Sequence, residues 1–249
     1  EYNNSNSTSG IQTVSGSNSA VGVYSLAAGG GNNLAKGNCS IVLNGTGSST
    51  EGNYASVLNG EHHKASQGSL ILNGIYNTAS NAGYYQVIGG SGSISGDSYS
   101  FTYGILHSGS GGHNNQVFGS RHKLDGVHNS TIVGFSSSMV NTSASFIGGK
   151  GNLISSSLYS TAFGCQHIIS GSSYGGISSG FDNCLFISGS NKFNYIGGGN
   201  SNTIEGNTNN VVVGGNSNCI KNTYRSFIGG GSGNLITNNK SVIVGGGSN

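Results

Sequence analysis

The chain has no proline and no tryptophan, a single methionine, and charged side chains at only 6% of its 249 positions. In average globular proteins about a quarter of the residues are charged, so this composition is not that of an ordinary α/β enzyme. Hydrophobic content is low (33%), but the net charge of +2 is far from the high charge that accompanies disorder. So small a charge also predicts no nucleic-acid partner.

Helical periodicity and long apolar runs are absent as well. No window shows apolar residues at helical spacing, so strands and turns are expected to form the fold. Without an apolar run near 18 residues, no membrane span is expected. The first residue is Glu1, and no signal-peptide pattern follows it, so the chain is expected to be a segment of a longer or processed product.

A short repeat dominates what is present. The chain contains 47 glycines, and a unit of serine, two or three apolar residues, a glycine pair and asparagine recurs about every 15 residues. Its anchor position runs from Ser15 to Gly245 and includes Gly89 and Gly148, with one longer step between Ser179 and Gly198. Proline is missing because every interior strand must donate its amide hydrogen. The predicted fold is therefore an all-β parallel solenoid of about 16 coils.

Two apolar columns follow from this alignment. The first lies two residues before the anchor and is predicted to fill the interior; only Thr102 in it is not apolar. It comprises Ala27, Val42, Val57, Ile71, Val87, Thr102, Val117, Ile132, Phe146, Ala162, Ile177, Ile196, Val212, Ile228 and Ile243. A second strand in each coil is predicted to point inward at Val21, Ala35, Ala65, Ala79, Val140, Ile154, Leu185, Ile204, Ile220 and Ile236.

The residue after each member of the first column is also mostly apolar. Adjacent strand residues point to opposite faces, so this column, which includes Tyr103, Phe118, Val133, Phe163 and Val213, is predicted to point outward. A continuous apolar stripe of this kind normally marks an interface. We therefore expect a homo-oligomer, specifically a homotrimer.

Asparagine recurs four residues after the anchor and is predicted to form a structural ladder, bonding either its copies in neighbouring coils or its own backbone. The ladder comprises Asn33, Asn77, Asn152, Asn183, Asn202, Asn218 and Asn234. Residues 1–10 lack the repeat and are interpreted as an irregular lead-in, and residues 11–249 as a single repeat domain. The last repeat carries no polar cap, which would allow coil ends to stack into a filament.

The repeats SVIVGGGSN, SFIGGKGNLI and NVVVGGNSNCI resemble the head repeats of trimeric autotransporter adhesins and related phage and viral fibre proteins. The resemblance covers about Ile11 to Asn249 and implies a narrow left-handed β-roll, with three chains, intertwined or side by side, in one rod that is displayed outside the cell and used for attachment. The alanine-rich second strand of that family is kept only in part, in Ala35, Ala65 and Ala79.

Few residues suggest further chemistry. His107 and His122 fall at the same place in consecutive repeats, so they are either metal-ligand candidates or corner histidines that face solvent. Cys184 and Cys219 are expected to be free thiols, because an intervening coil would separate them by about 9.6 Å. The acidic residues form no recurring pair for acid–base catalysis, so neither an enzyme nor a cofactor is expected.

Exposed tyrosines beside Asn and Ser suit contact with a surface glycan or a protein receptor; the candidates are Tyr84, Tyr85, Tyr174 and Tyr195. The sequence thus favours an extracellular or virion-surface fibre or adhesin segment that acts by rigid display and multivalent attachment. The alternative is a self-assembling structural filament such as a sheath, pilus-like or matrix fibre.

Overall fold

The computed structural model describes residues 11–12, 17–80, 86–187, 193–206 and 208–249. The predicted lead-in, residues 1–10, and the candidates Tyr84 and Tyr85 lie outside the described residues. The described part is an all-β parallel solenoid of about 14 turns with no helix, so the prediction of an all-β parallel solenoid is confirmed. It forms two compact units, Glu1–Arg121 and His122–Asn249. No helix in the described ranges is long and apolar enough to cross a membrane.

The first unit contains short strands joined by tight corners. They are β1 (Ile11–Gln12), β2 (Ser19–Ala20), β3 (Leu26–Ala28), β4 (Leu34–Ala35), β5 (Ile41–Leu43), β6 (Gly45–Thr46), β7 (Ser49–Thr50), β8 (Ser56–Val57), β9 (Gly60–Glu61), β10 (Lys64–Ala65), β11 (Leu70–Ile71), β12 (Thr78–Ala79), β13 (Val87–Ser91), β14 (Ile94–Ser98), β15 (Phe101–Ile105), β16 (Ser108–His113) and β17 (Gln116–Ser120). One sheet has the order β1-β3-β5-β8-β11-β13-β15-β17, a second has the order β2-β4-β7-β10-β12-β14-β16, and β6 pairs with β9.

The second unit repeats this plan with slightly longer strands. They are β18 (Lys123–Asp125), β19 (Thr131–Phe135), β20 (Ser138–Val140), β21 (Phe146–Lys150), β22 (Leu153–Ser155), β23 (Thr161–Cys165), β24 (Ile168–Ser170), β25 (Gly175–Ile177), β26 (Cys184–Ile187), β27 (Asn194–Ile196), β28 (Thr203–Gly206), β29 (Asn210–Val212), β30 (Cys219–Lys221), β31 (Phe227–Ile228), β32 (Leu235–Ile236) and β33 (Val242–Ile243). Odd-numbered strands from β19 form one sheet and even-numbered strands from β18 form the other.

Parallel pairing stacks like residues between neighbouring coils. Val42 pairs with Val57 and Val57 with Ile71 in the first unit, whereas Ile196 pairs with Val212 in the second. β-Branched side chains pack well on such a surface, and burying each contributes about 1.5–3 kcal/mol. These inward columns are the hydrophobic core of each unit.

Most of the predicted first column lies fully buried in the core, namely Ala27, Val42, Val57, Ile71, Ile132, Ala162, Ile177, Ile196, Val212 and Ile228, with Val117 and Thr102 nearly so. The structure corrects it at two places, where Ile88 and Ile147 point inward and the predicted Val87 and Phe146 are only half-buried. In both coils the inward residue lies two positions before the glycine with positive φ, Gly90 or Gly149. The predicted anchor was the preceding glycine, and a shift of one residue reverses the faces.

Smaller corrections concern the edges and the second column. Ile243 is half-buried because β33 pairs only with β31 in the described part. In the even-numbered sheets, Ala20 and Met139 are buried where Val21 and Val140 were predicted, again a shift of one position. The other predicted members are buried: Ala35, Ala65, Ala79, Ile154, Leu185, Ile204, Ile220 and Ile236.

Candidate functional site

A ladder of buried asparagines joins the coils at one corner, and it includes all seven predicted residues. In the second unit the Oδ1 of Asn202 accepts the backbone N–H of Asn218 at 3.0 Å, and the Oδ1 of Asn218 accepts that of Asn234 at 3.1 Å. The Nδ2 of Asn202 donates to the carbonyls of Gly198 and Gly215, each at 3.0 Å. Each such asparagine therefore bonds both its own corner and the next coil.

Histidines occupy the same buried ladder column. The backbone N–H of Ser137 donates to the Nδ1 of His122 at 3.2 Å, and that of Asn183 donates to the Nδ1 of His167 at 3.1 Å. His107 and His122 are 2% and 1% exposed, so the interpretation that they face solvent is wrong. The Nδ1 atoms of His122 and His167 therefore take the acceptor role that the asparagine Oδ1 has elsewhere in the column.

His63 completes the set of buried ladder histidines, and the sequence alignment did not identify it. Its Nδ1 accepts the backbone N–H of Asn77 at 3.2 Å, whereas the neighbouring His62 is exposed and stacks on Tyr76 at 5.0 Å between ring centroids. Burial lowers the pKa of both His63 and His167 because desolvation disfavours the charged imidazolium. Both rings are therefore held neutral by their surroundings.

In the described ranges, no three or more His, Cys, Asp or Glu side chains are grouped so that they could hold a metal ion. Cys184 and Cys219 are free thiols, and Thr203 lies between them in the sheet, as the predicted spacing requires. Burial raises the pKa of each of these thiols. Both cysteines therefore favour the unreactive protonated form.

The outward column next to the core is apolar and exposed in each unit. In the first unit Tyr103 and Phe118 are 47% and 36% exposed and, with Ile75 and Ile105, line a depression of about 640 Å³. In the second unit Val133, Phe163 and Val213 carry the same column and are also exposed. We call Tyr103, Phe118, Val133, Phe163 and Val213 the outward apolar column. Large apolar side chains repeated along one exposed face are typical of interaction surfaces.

A second exposed feature is a row of aromatic residues at a corner of the second unit. The rings of Tyr159 and Tyr174 stack at 5.1 Å between centroids, and those of Tyr174 and Phe193 stack at 4.7 Å. Backbone bonds fix the corner, since the N–H of Tyr174 donates to Leu158 O at 2.9 Å. Parallel coils thus place three rings in register.

This row forms one wall of a groove of about 440 Å³, which we call the aromatic groove. The outward residues of the adjoining strands, Thr161, Gly176, Tyr195 and Val211, lie opposite the row, and register pairs Thr161 with Gly176 and Gly176 with Tyr195. The Tyr195 ring lies against Gly176, because a Cβ there would come within 3.1 Å of Cδ2 of Tyr195. The missing side chain therefore lets this ring lie close to the sheet as part of the groove lining.

The aromatic groove contains two of the predicted ligand-binding candidates, Tyr174 and Tyr195. Tyr195 is 43% exposed, and its hydroxyl shares a hydrogen bond with Ser178 Oγ. Tyr159 and Phe193, both 57% exposed, were not predicted as site residues. The long step before Gly198 concealed the alignment of Phe193 with Tyr174. Tyr159 lies one repeat before Tyr174, and this spacing could have identified it.

The chain matches no protein-family model, no curated protein sequence and no solved structure.

Proposed function

We propose that this chain is a segment of an extracellular or virion-surface fibre, similar to the head repeats of trimeric adhesins, that acts by rigid display and multivalent attachment. The observation that carries the proposal is the outward apolar column, which the core of its own chain does not cover. Partners in this assembly are further copies of the same chain, arranged as a homotrimer of β-rolls with about 15 residues in each coil.

A copy of the same chain is the partner that fits the column best. Its apolar residues recur along one face, with Val133 and Phe163 two coils apart and Gly148 between them in the second unit, so an identical chain offers the same residues at the same spacing. Symmetric association of identical surfaces is the common rule for soluble oligomers. Three copies around an axis would cover each stripe and repeat every exposed contact three times.

Repeated weak contacts explain how such a segment would attach without a deep pocket. Linking several sites raises the overall avidity by about 10²–10⁴ over a single contact. The buried ladders support the rigidity that this requires, because their hydrogen bonds connect each coil with the next. The surface carries little charge, so the attachment would depend on shape and hydrogen bonding more than on electrostatic attraction.

The assembly is tested by measuring the mass in solution by light scattering and sedimentation. We expect the chain to have three times the 25.0 kDa mass of the monomer. The double variant Val133→Ser/Phe163→Ser should be monomeric with unchanged β circular dichroism, because both side chains are outside the core. Phe181→Ser is the matched control, since Phe181 is exposed to a similar extent (47%) but lies outside the outward apolar column, and it should remain trimeric.

Two outcomes would contradict this assignment. A wild-type chain that stays monomeric at micromolar concentration would show that the column is not an interface of this kind. Polymers of indefinite length in electron micrographs would favour the structural filament instead.

A further inference from the structure

The aromatic groove has the composition of a site for a neutral ligand. The described residues that line it are Tyr159, Thr161, Tyr174, Gly175, Gly176, Phe193, Asn194, Tyr195, Asn209 and Val211, and none of these carries a charge. A phosphate, a carboxylate or a sulfated ligand would find no cation among them. Charge complementarity therefore favours a partner that is polar but uncharged.

The groove also combines apolar carbon with hydroxyl groups at regular intervals. The stacked rings of Tyr159, Tyr174 and Phe193 follow one another at 5.1 and 4.7 Å, and two of the three carry phenol hydroxyls. Phenols both donate and accept hydrogen bonds, and their rings supply apolar contact at small cost in conformational entropy. The Thr161 hydroxyl and the exposed Asn209 add polar groups at the margins.

The shape suits an extended ligand. The groove is open and follows the stacking direction of the coils, since its walls come from residues that occupy the same place in successive coils. A volume of about 440 Å³ lies within the range of small-molecule sites. A chain of rings lying along the groove could contact the row of aromatic residues at each coil.

We propose that the aromatic groove binds a neutral oligosaccharide. The C–H faces of the sugar rings lie against the apolar carbons of the aromatic row and Val211, and the sugar hydroxyls bond to the phenols of Tyr159, Tyr174 and Tyr195. This inference rests on the proposed role in attachment, for which it names the ligand class. Three copies of a shallow site would supply the multivalency that this role needs.

The first experiment screens the wild-type chain on immobilised neutral oligosaccharides built from hexoses, N-acetylhexosamines and deoxyhexoses, with sialylated and sulfated chains on the same surface. The strongest neutral binder is then titrated in solution by tyrosine fluorescence, for which the absence of tryptophan gives a clean signal. We expect binding to the neutral chains, with little change between 50 and 200 mM salt, because no ion pair is formed.

Three variants test the site itself. Tyr174→Ala should weaken binding about tenfold, because it removes the central ring and its hydroxyl. Tyr174→Phe keeps the ring and should weaken binding by a smaller factor. Gly176→Val removes no tyrosine and should abolish binding, because its side chain would displace the Tyr195 ring and fill the groove; this glycine has no positive φ, so the backbone there accepts a side chain without strain. Tyr54→Ala is the matched control, because Tyr54 is an exposed tyrosine with φ 58° at a corner of the first unit.

Several results would overturn the inference. They are binding to acidic chains alone, binding to none of the chains, and equal losses in Tyr174→Ala and Tyr54→Ala with both variants folded. Protection of Tyr174 from iodination in a ligand-free oligomer would likewise show that the groove is a protein interface. Mass and sugar binding are measured on the same wild-type sample. A wild-type chain that binds sugar but stays monomeric rejects only the fibre, and a wild-type trimer that binds no sugar rejects only the glycan site.

Discussion

Removing one ladder asparagine should destabilise the second unit far more than removing an exposed asparagine two residues away. Asn218 is fully buried, and its Nδ2 donates to the carbonyls of Gly214 and Gly231 at 3.0 and 3.1 Å. Its Oδ1 accepts the backbone N–H of Asn234 at 3.1 Å and the Nδ2 of Asn234 at 3.0 Å. The substitution Asn218→Ala therefore removes four hydrogen bonds and leaves the backbone N–H of the buried Asn234 without its acceptor.

The magnitude follows from the cost of unsatisfied buried groups. One buried donor or acceptor left unpaired costs about 1–3 kcal/mol, and the backbone N–H of Asn234 belongs to a fully buried residue. Since the contributions of neighbours do not add fully, we expect a loss of about 3 kcal/mol, to which the small cavity contributes. Asn216→Ala should change stability by less than about 0.5 kcal/mol, because Asn216 is exposed.

Hydrogen exchange followed residue by residue is the best assay, because solenoids can open locally and a single midpoint can mislead. A loss of about 3 kcal/mol corresponds to roughly 100-fold faster exchange at the backbone amide of Asn234. Urea unfolding followed by circular dichroism gives an independent measure. If Asn218→Ala and Asn216→Ala exchange at equal rates, the ladder contributes no stability and the reasoning about this corner fails.

Three further predictions concern backbone strain, pH and thiol reactivity. Gly215→Ala should destabilise by more than about 2 kcal/mol in urea unfolding, because Gly215 has φ 90° and a Cβ would meet Gly231 O; the adjacent Gly214→Ala, with nothing within 4 Å, should be nearly neutral. Burial lowers the folded pKa of His63 and His167 below 6.5. The contribution of these histidines to stability is therefore complete above about pH 6.5 and falls as the pH decreases towards the folded pKa. His167→Asn should reduce this dependence on pH, and an unchanged dependence in both His63→Asn and His167→Asn would contradict the reasoning. Because burial raises the pKa of Cys184, iodoacetamide should alkylate it at pH 7.5 several-fold more slowly in the folded chain than in urea, and equal rates would refute this.

The fold was predictable because the same physical requirement applies to every repeat. A buried aliphatic residue once per coil, as in Val42, Val57 and Ile71, can hardly arise except from stacked parallel strands. The errors arose where two local solutions satisfy the same pattern. At Gly89 and Gly90 either glycine could take the positive φ that the corner needs, and only packing against the neighbouring coils decides which one does.

The aromatic groove was only partly predictable for a different reason. Tyr174 and Tyr195 lie 21 positions apart in the chain, and no sequence spacing shows that they border one groove. The groove depends on the small residue Gly176 and on Phe193. Phe193 lies within the longest step of the repeat, between Ser179 and Gly198, so the alignment does not show its place in the coil. Sequence columns identify what points outward, whereas a concave surface depends on how the sizes of neighbouring outward residues differ.

The ladder column shows what the corner requires. Asn202, Ser137 and His167 differ in size and chemistry, yet each presents an acceptor to the backbone N–H of the next coil. The corner therefore requires an acceptor within hydrogen-bond distance of the backbone N–H of the next coil. Asparagine adds a second contribution, because its Nδ2 also donates to two carbonyls. A serine or histidine in the column keeps the bond between coils but loses one or both of these carbonyl contacts. The run from Asn183 to Asn234 is consequently the most tightly connected part of the column, and it begins beside the coils that carry the aromatic groove.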